Sequence, residues 1–589
     1  MKLKTIALAA LAVCATGFGA QGAQPQKRGH ATTPEWIHNA VFYDIYPSSF
    51  MDSDGNGIGD IKGIISRLDY VKSLGVDAIW MNPIFESGFF DGGYDIIDYY
   101  KVDPRFGTLS DVRKLVDEVH KRGMKVCLDL VPGHSSNHAE WFRKAATEGP
   151  DGRYADYYIF TDVISAKDSA DIKKRYESYD PDSSKLGPWV PTEEAHAGTP
   201  KDGKYTGNFY RKNYYPCQPA LNFGYFKPTE PWHQSMDAPG PKAVRRELKN
   251  IMAYWFDQGI DGFRVDMASS LVKGDDKHHT GTRRLWADIR EWLDREYPGK
   301  ALIAEWGNAS EAINAGFDMD FPLMHRNPWY GDVMNGAKAN KKVHDDAYFN
   351  KPGKGQIKRF VTDFGKHYDN IKGKGYISFF SANHDINRLN SEGRDTPDQN
   401  KVFMTFLLTM PGVPFIHYGD EIMMRNVKGL PSVEGSREER SGTRTPMQWD
   451  NTPSVGFSTA APDKLYLPTF TDNGKLTVAA QENDPNSTLN NTRELIKLRH
   501  DHPALANDGD WKTVSDVENP YPWVYTRSTD TDTYYVVLNP SAKTVKATVD
   551  ASAPLELIYS VGKPKAKVAN GKVTFTMPGV TSAVYRLKK

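Results

Sequence analysis

The sequence predicts an α/β protein built on a closed (β/α)8 barrel. Three observations support this prediction. Short apolar runs, typical of buried parallel strands, alternate with helices that carry one apolar face. Eight such runs lie between residues 40 and 418, and eight parallel strands are the number that closes a barrel. Acidic and polar residues directly follow several runs, as a site at the C-terminal face of a barrel requires.

The strand candidates share a short apolar stretch bounded by turn residues. In chain order they are AVFYDIYP, VDAIWMNP, MKVCLDL, GIDGFRVD, ALIAEW, FDMDFP, GYISFFSANHD and GVPFIHYGDE. Apolar residues at helical spacing precede several of these strand candidates and predict helices. Gly75 and Gly123 stand where two of these helices should end. An open doubly wound sheet is the alternative, but no glycine-rich phosphate loop follows the first strand.

Two departures from this alternation predict further domains within and after the barrel at 31–505. The third and fourth strand candidates lie much farther apart than one crossover helix requires, which predicts an inserted subdomain over residues 133–225. Its aromatic residues are typical of a small core, although they could also stack on a ligand. After the barrel, alternating segments such as TYYVVL and KVTFTM predict an antiparallel β-sandwich over residues 506–589.

Residues 1–23 have the layout of a cleaved secretory signal. Lys2 and Lys4 precede the apolar run TIALAALAV and the small-residue segment GFGAQGA. We therefore expect export to the periplasm or the extracellular medium. Lipid attachment at Cys14 is disfavoured because Val13 precedes it where a small residue is expected. No other apolar run approaches the ~20 residues that cross a bilayer.

Composition excludes several classes of partner. The 589 residues contain 74 Lys and Arg and 74 Asp and Glu, so there is no basic field to attract nucleic acid or an acidic membrane. A small neutral ligand fits this balance better, and nothing implies a protein partner. Beyond the signal only Cys127 and Cys217 remain, too few for a disulfide framework, and whether they pair is open.

The stretch DSDGNGIGD resembles a calcium-binding loop. Oxygen donors stand at loop positions one, three, five and nine, on Asp52, Asp54, Asn56 and Asp60. Position twelve is Gly63 where a helix-loop-helix calcium sensor needs a bidentate Glu, so the sensor pattern fails. Two interpretations remain: a metal-binding loop that is not part of a helix-loop-helix sensor, or a turn that binds no metal.

Three carboxylates end predicted strands. Asp266 closes DGFRVD, Glu305 closes ALIAE and Asp385 closes YISFFSANHD, and in a barrel all three face one pocket. Each alone is typical of a helix cap or a solvated turn. Further polar residues adjoin them, namely Asp129, His134, Arg264 and His384.

Such a cluster suits the cleavage of a glycosidic bond. One carboxylate attacks the anomeric carbon while a second donates a proton to the departing oxygen. We expect Arg264 to keep the nucleophile ionised, and a nearby anion to raise the pKa of the acid, so that opposite pKa shifts assign the two roles.

Five short motifs resemble those of the α-amylase family of glycoside hydrolases, family 13. They are DLVPGH (129–134), QPALN (218–222), DGFRVD (261–266), AEWGN (304–308) and SANHD (381–385), and the likeness runs from about residue 35 to the C-terminus. The resemblance implies a TIM barrel in which Asp266 is the nucleophile, Glu305 the general acid/base, and Asp385 the group that grips the sugar hydroxyls.

The same resemblance implies roles for the remaining candidates. His134, Arg264 and His384 would line the sugar subsite, and Tyr94 would stack on the ring. The loop after the first strand would hold a structural calcium through Asp52, Asp54, Asn56, Ile58 and Asp60.

The stretches GGYDIIDYYKVDPRFGT and RTPMQWD resemble the branch of the family that contains oligo-1,6-glucosidases, other α-glucosidases, dextran glucosidases and trehalose synthases. In that branch an Asp and an Arg clamp the terminal glucose, and the matching residues here are Asp95 and Arg444. A buried charged pair at the end of the sugar favours exo cleavage of short α-gluco-oligosaccharides. An ordinary structural salt bridge is the alternative interpretation of this pair.

Three positions depart from the family pattern. Gly133 replaces the usual Asn before His134, so one polar contact is missing or supplied elsewhere, and Ala220 replaces an expected Asp. Met267 follows the nucleophile, where relatives acting on α-1,6 bonds often carry Val and those acting on α-1,4 bonds a smaller residue. Preference between α-1,4 and α-1,6 bonds therefore stays open.

Several functions are consistent with this sequence. A secreted retaining hydrolase of α-glucosidic bonds in starch-derived oligosaccharides, acting from the non-reducing end, is the main prediction. An endo-acting α-amylase is one alternative. A glucosyl transferase or isomerase of the trehalose synthase or isomaltulose synthase type is another, because a sugar can intercept a covalent glucosyl enzyme in place of water. A non-catalytic binding protein is disfavoured because the predicted nucleophile and acid are both present.

Overall fold

The computed structural model describes residues 33–178, 187–194, 205–334, 346–391, 393–435 and 438–588. The predicted signal at 1–23, with Cys14, lies outside these residues. Within the described ranges, no helix combines the length and the apolar character that crossing a membrane demands.

An eight-stranded parallel sheet confirms the predicted barrel. The first thirteen strands of the described chain are β1 (Phe42–Ile45), β2 (Ala78–Met81), β3 (Phe85–Ser87), β4 (Ile96–Val102), β5 (Lys125–Leu130), β6 (Phe160–Thr161), β7 (Trp189–Pro191), β8 (Phe209–Arg211), β9 (Gly262–Val265), β10 (Ala301–Ala304), β11 (Met319–Asp320), β12 (Tyr376–Ile377) and β13 (Phe415–His417). The parallel sheet has the order β12-β11-β10-β9-β5-β2-β1-β13, so each predicted strand occupies its expected place.

Main-chain hydrogen bonds join the two edges of this sheet. The Val413 N–H donates to the Ile377 carbonyl at 3.0 Å, and the Phe415 N–H donates to the Phe379 carbonyl at 2.7 Å. Inside, the rings of Phe321 and Phe415 lie 4.8 Å apart, and Trp80 packs against both. The barrel is therefore closed and filled with side chains, as its strand number predicts.

The helices cover the outside of the sheet. In the described chain they are α1 (Pro47–Phe50), α2 (Ile61–Ser66), α3 (Leu68–Ser73), α4 (Leu109–Lys121), α5 (Glu140–Thr147), α6 (Ala166–Ser178), α7 (Pro239–Asp257), α8 (Thr280–Glu296), α9 (Ala309–Ala315), α10 (Pro328–Met334), α11 (Lys358–Ile371), α12 (Pro397–Thr409), α13 (Glu438–Ser441), α14 (Val478–Gln481) and α15 (Thr488–Asp501).

Helix α4 shows how local sequence defines these helices. Thr108 and Asp111 form a capping box that satisfies free N–H groups at its start. Its buried face consists of Val112, Leu115, Val116 and Val119. Fully burying one such side chain stabilises the fold by about 1.5 to 3 kcal/mol. The helix ends before Gly123, whose φ of 69° is left-handed and suits glycine.

Between β5 and β9 the chain forms an extra layer over the barrel mouth. Strands β6, β8 and β7 form a small antiparallel sheet, and the segment after β8 returns to the end of β5. There the Leu221 N–H donates to the Gly133 carbonyl at 3.1 Å, and Ala220 bridges His134. Ala220 is fully buried in this contact, so the Asp expected from the family would be buried there too. This return places residues 213–218 beside the barrel mouth.

The C-terminal region consists of two antiparallel sheets. Their strands are β14 (Asp510–Thr513), β15 (Trp523–Ser528), β16 (Thr533–Asn539), β17 (Val545–Asp550), β18 (Leu555–Val561), β19 (Lys565–Ala569), β20 (Lys572–Met577) and β21 (Thr581–Leu587). The sheet orders are β14-β15-β16-β21-β18 and β17-β20-β19. On β16, Tyr535 and Val537 face the core between these sheets, whereas Val536 and Leu538 join the core shared with the barrel. Both faces of β16 are therefore buried.

Candidate active site

A single guanidinium binds three carboxylates at the mouth of the barrel. Arg264 Nη1 lies 2.8 Å from Asp129 Oδ1 and 3.1 Å from Asp266 Oδ1, and its Nη2 lies 3.0 Å from Glu305 Oε1. Arg264 is 2% exposed. The cluster that the sequence predicts therefore exists, with its cation at the centre.

The parallel sheet brings these residues together. Arg264 is paired in register with Asp129 on β5 and with Ile303 on β10. Asp266 and Glu305 each come one residue after their strands, β9 and β10. The C-terminal ends of neighbouring parallel strands meet at one edge, so residues that are distant in sequence converge there.

The residue after Asp266 has a strained backbone that contacts Glu305. Met267 adopts the left-handed conformation with φ of 43°, which is unfavourable for a residue with a side chain. Its N–H donates to Glu305 Oε2 at 2.8 Å.

The turn that follows Glu305 is held by buried Asp320. This carboxyl accepts from the Trp306 N–H at 2.9 Å, and burial raises the pKa of Asp320 to about 8. Both strand ends are thus restrained around Glu305.

The electrostatics of Asp266 differ from the sequence expectation. Burial raises the pKa of Asp266, and the Glu305 carboxylate raises it further, whereas Arg264 lowers it. The expected lowering by Arg264 is present, but burial and Glu305 outweigh it, so charge pairing with Arg264 does not keep the pKa of Asp266 low. The physical reason is that one cation is shared among three buried carboxylates.

Asp385 has the opposite environment. Its Oδ1 lies 3.3 Å from Arg440 Nε and 3.1 Å from Arg444 Nη2. Burial would raise the pKa of Asp385, but Arg440 and the other cations around it hold the pKa well below its usual range. Asp385 is therefore ionised at neutral pH and available to accept hydrogen bonds from a ligand.

Tyr94 joins the remaining predicted residues into one hydrogen-bonded layer. Its hydroxyl donates to Asp129 Oδ2 at 2.9 Å and lies 2.8 Å from His384 Nε2. Its main-chain carbonyl lies 3.0 Å from His134 Nε2. Burial lowers the pKa of His384 to about 3 and that of His134 to about 4, so both imidazoles are neutral at pH 7.

The structure corrects the predicted clamp of Asp95 and Arg444. Asp95 is fully buried and faces away from the cavity, where its Oδ1 accepts from the Asp91 N–H and the Ser87 hydroxyl. Arg444 lies beneath Asp385 and donates to the His384 carbonyl at 2.8 Å. Tyr94 borders the cavity, whereas the Asp95 carboxylate is held by hydrogen bonds from Asp91 and Ser87 and is not among the residues that line the cavity.

A charged pair other than Asp95 and Arg444 lines the cavity. Arg440 Nη1 lies 3.2 Å from Asp91 Oδ1, and Gln218 Nε2 donates to Asp91 Oδ2 at 2.8 Å. Asp91 begins the turn that ends at Tyr94, whose N–H donates to the Asp91 carbonyl at 2.9 Å. Sequence reasoning missed Asp91 and Arg440, although both stand four residues before the residues that it chose.

These groups line a cavity of about 370 Å³. Five of the predicted residues line it: Tyr94, His134, Asp266, Glu305 and Asp385. Arg264, His384 and Arg444 support those residues from behind. The lining residues that the sequence did not single out include Asp91, Gln218, Leu323, Arg326, Asn387 and Arg440.

The loop after β1 brings three predicted metal ligands together. Oxygen atoms of Asp52, Asp54 and Asp60 all lie within 4.8 Å of one another. Burial alone would raise the pKa of Asp52, but hydrogen bonds from Ser458 and from loop N–H groups lower it, so this carboxyl is ionised. The Asn56 side chain accepts from the Ile58 N–H at 2.8 Å. Hard oxygen donors at this separation fit a calcium ion.

The fold and the site define a class of protein. A closed β/α barrel whose strand ends hold two carboxylates within reach of one arginine, together with a third ionised carboxylate, is the arrangement of an enzyme that cleaves glycosidic bonds through an acid and a nucleophile.

Comparison with known proteins places the chain within that class. Residues 44–508 match the family model for the alpha amylase catalytic domain, so the chain belongs to the α-amylase family of glycoside hydrolases. It is 30% identical over 559 residues to an oligo-1,6-glucosidase of Parageobacillus thermoglucosidasius, covering 86% of this chain and 91% of that relative. It is 32% identical over 528 residues to the trehalose synthase/amylase TreS of Mycobacterium tuberculosis, covering 84% and 78%.

A solved structure agrees in fold. The trehalulose synthase MutB from Pseudomonas mesoacidophila MX-45 superposes with a TM-score of 0.74 at 26% identity, covering 94% of this chain and 99% of that one. The similar proteins therefore include both a glucosidase and enzymes named as synthases. The chain is accordingly a glucosidase or a glucosyltransferase of this family.

Proposed function

We propose that this protein is a retaining α-glucosidase that releases glucose from the non-reducing end of short α-gluco-oligosaccharides. The observation that carries the proposal is the Asp91–Arg440 pair in the same cavity as Asp266, Glu305 and Asp385. A charged pair that binds the terminal hydroxyls leaves no passage for a longer chain beyond that glucose. Cleavage would then remove one unit at a time.

The proposed reaction has two steps. In the first, a carboxylate oxygen of Asp266 bonds to the anomeric carbon while Glu305 protonates the departing glycosidic oxygen. In the second, Glu305 removes a proton from water, and that water breaks the glucosyl ester. Two inversions return the α-configuration. A retaining pair lies ~5 to 5.5 Å apart, a separation that one guanidinium bound to both carboxylates can span.

The supporting residues have separate roles in this proposal. Asp385, which Arg440 and Arg444 keep ionised, accepts hydrogen bonds from the sugar hydroxyls and favours ring distortion. Tyr94 presents its ring to the glucose.

Product analysis tests the proposal directly. Purified enzyme is incubated separately with maltotriose, isomaltotriose, soluble starch, sucrose and maltose, and the products and the anomer released first are identified by chromatography and NMR. We expect stepwise release of α-glucose from the trisaccharides. Comparison of maltotriose with isomaltotriose then establishes the bond preference. Rapid fragmentation of starch into mixed oligosaccharides would instead identify an endo-acting α-amylase.

A glucosyl transferase or isomerase is the second candidate, favoured by the likeness to proteins named trehalose synthase and trehalulose synthase. In that reaction a sugar hydroxyl attacks the glucosyl ester in place of water. Its signature is an isomeric disaccharide formed from maltose or sucrose without a matching amount of free glucose. That outcome would replace the hydrolase proposal.

We propose a structural calcium held by the carboxylates of Asp52, Asp54 and Asp60, with Asn56 and the main-chain carbonyl of Ile58 completing the set. The ion would stiffen the loop between α1 and α2 and take no part in bond cleavage. Adding calcium to chelator-treated enzyme should raise the midpoint of thermal unfolding, and the Asp52→Asn variant should lose that response. A calcium-independent midpoint in the wild type would contradict the proposal.

We also propose that the protein is exported, on the strength of the signal layout at residues 1–23. Enzyme recovered from the periplasm or the medium should lack these residues when its N-terminus is sequenced. Full-length chain confined to the cytoplasm would overturn this proposal.

A further inference from the structure

Position 133 lacks a side chain because a residue from the inserted layer occupies the space. Gly133 is not among the glycines with a left-handed backbone, so its conformation does not demand glycine. A Cβ atom at this position would lie 2.7 Å from Asn213 Nδ2 and 3.6 Å from Leu271 Cδ2. The nearest obstacle is therefore the Asn213 amide, on a segment about eighty residues later in the chain.

The neighbours of Asn213 determine which way its amide points. Lys273 Nζ lies 3.4 Å from Asn213 Oδ1 and donates to the Ser270 carbonyl at 2.8 Å. Burial lowers the pKa of Lys273 to about 7, so near neutral pH its amine donates N–H groups but is partly uncharged. The amide nitrogen also lies 3.6 Å from Met267 Sδ, a weak acceptor. Both contacts favour the orientation in which the amide oxygen faces Lys273. The amide nitrogen then faces His134 Nδ1 at 2.9 Å.

This orientation selects the tautomer of His134. Asn213 Nδ2 can only donate, so His134 Nδ1 must be the unprotonated, accepting nitrogen. A neutral imidazole carries one proton, which is then on Nε2, 3.0 Å from the Tyr94 carbonyl that accepts it. Burial lowers the pKa of His134 to about 4 and keeps the ring neutral. Asn213 therefore acts on Tyr94 through His134.

We propose that Asn213 is a positioning residue of the glucosyl site, which supplies from the inserted layer the amide that position 133 lacks. By holding His134 as the Nε2–H tautomer, it anchors the main chain of Tyr94, whose hydroxyl bonds Asp129 and His384. The inference rests on the proposed function because Tyr94 and His134 border the proposed glucose pocket.

The first experiment replaces the amide donor without changing its size. Asn213→Asp presents an oxygen to His134 Nδ1, so we expect the imidazole proton to move to Nδ1 or the ring to become an imidazolium. Nitrogen-15 NMR of histidine-labelled protein measures this directly without substrate. The matched control is Asn208→Asp, an exposed asparagine near the same segment, which should leave the His134 signals unchanged.

Kinetics provide the second readout. For Asn213→Asp we expect kcat/KM for maltose or isomaltose to fall roughly tenfold, equal to about 1.4 kcal/mol, while Asn208→Asp stays within twofold of wild type. An unchanged His134 tautomer together with unchanged kcat/KM would overturn the proposal. If the wild type cleaves no glucoside, the proposed function fails, but the NMR result still decides whether Asn213 sets the tautomer.

Moving the amide back to position 133 sharpens the test. Gly133→Asn alone should lower activity because its Cβ meets Asn213 Nδ2 at 2.7 Å. Asn213→Ala alone should lower activity because the donor is absent. The double variant relieves the contact and restores an amide near His134, so its kcat/KM should exceed that of either single variant. Additive losses in this cycle would show that the two positions do not share one role.

Discussion

Arg264 in the pocket and Arg499 at the boundary with the C-terminal sheets are both buried, at 2% and 0% exposed. Arg264 contacts three carboxylates. Arg499 instead donates to the main-chain carbonyls of Leu408, Met410 and Gly412 at 2.6 to 3.0 Å. Within the described ranges, Arg499 forms no ion pair with a carboxylate. The same side chain is thus compensated by charges in one region and by dipoles in the other.

The difference follows from what each region leaves unsatisfied. Helix α12 ends at Thr409, and its last carbonyls lack helical donors and lie at the negative end of the helix dipole. Arg499 and Arg527 donate to that turn. For Arg264, burial lowers the pKa, but the surrounding carboxylates raise it by more. For Arg499, burial lowers the pKa and no carboxylate contact in the described part of the chain reverses the shift.

This comparison separates function from stability. In the pocket, one cation holds three carboxylates together, and two of them, Asp266 and Glu305, line the cavity. At the boundary, Arg499 joins fixed main-chain dipoles and is not among the residues that line the cavity. Changes in the pocket should therefore alter turnover more than stability, and changes at the boundary should do the reverse.

The largest effect is expected for Asp266→Asn. It removes the proposed nucleophile with little change in volume, and turnover should fall by roughly 10⁴-fold or more. Stability should be kept or increased, because a neutral amide relieves a buried carboxyl that is repelled by Glu305. Single-turnover kinetics and the thermal midpoint measure both effects. Near-normal rates would disprove the mechanism.

Arg440→Met should have the next largest effect and test exo action. It leaves Asp91 without its cation at one end of the sugar. The fall in kcat/KM for maltose should therefore correspond to a loss of about 2 to 5 kcal/mol in transition-state stabilisation. A long maltodextrin should lose less because further glucose units contribute binding. Arg425→Met is the control, since Arg425 pairs with Asp472 at the surface. Equal losses on both substrates would count against the clamp.

Arg499→Met tests the boundary. It leaves several buried carbonyls without a donor, at about 1 to 3 kcal/mol for each, so the urea midpoint of unfolding should fall clearly. The folded enzyme should keep its kcat.

Arg586→Met is the control for stability. It removes an ion pair with Asp532 in which the two side chains are 41% and 23% exposed, and the free energy of unfolding should change by no more than about 1 kcal/mol. A lower kcat in folded Arg499→Met would contradict the separation.

The smallest effect concerns pH. Asp266 must be ionised to attack, and its pKa is raised, so activity should fall as the pH drops through a value above the ~3.9 of an ordinary aspartate. Glu305→Gln removes the neighbouring charge that raises the pKa of Asp266 and should shift this acid limb to lower pH. 4-Nitrophenyl α-glucoside, which needs no acid to leave, allows the glucosylation rate to be followed. An unshifted limb would mean that Glu305 does not set the pKa of Asp266.

Much of this protein could be predicted from its sequence. Alternating apolar runs identified every barrel strand, because a strand buried between a packed interior and outer helices must be apolar. The motifs placed Asp266 and Glu305 directly after strands, and parallel strands bring such ends together whatever the intervening loops do. The prediction that Asp385 closes its strand is wrong, because β12 ends at Ile377 and Asp385 follows eight residues later.

Orientation and electrostatics could not be predicted in the same way. Asp91 begins the turn that ends at Tyr94, and Asp95 follows that turn. Only the folded chain shows that Asp91, and not Asp95, lines the cavity. The pKa of Asp266 depends on three carboxylates sharing Arg264, which is a property of burial and distance.

The sequence by itself determined the barrel, the family and the chemical groups of the site, because periodicity and short motifs are local patterns. Only the tertiary structure decided that Arg440 pairs with Asp91 and that Asn213 occupies the space beside Gly133. Those contacts join segments far apart in the chain, and their geometry is set by how the inserted layer and the barrel pack against each other.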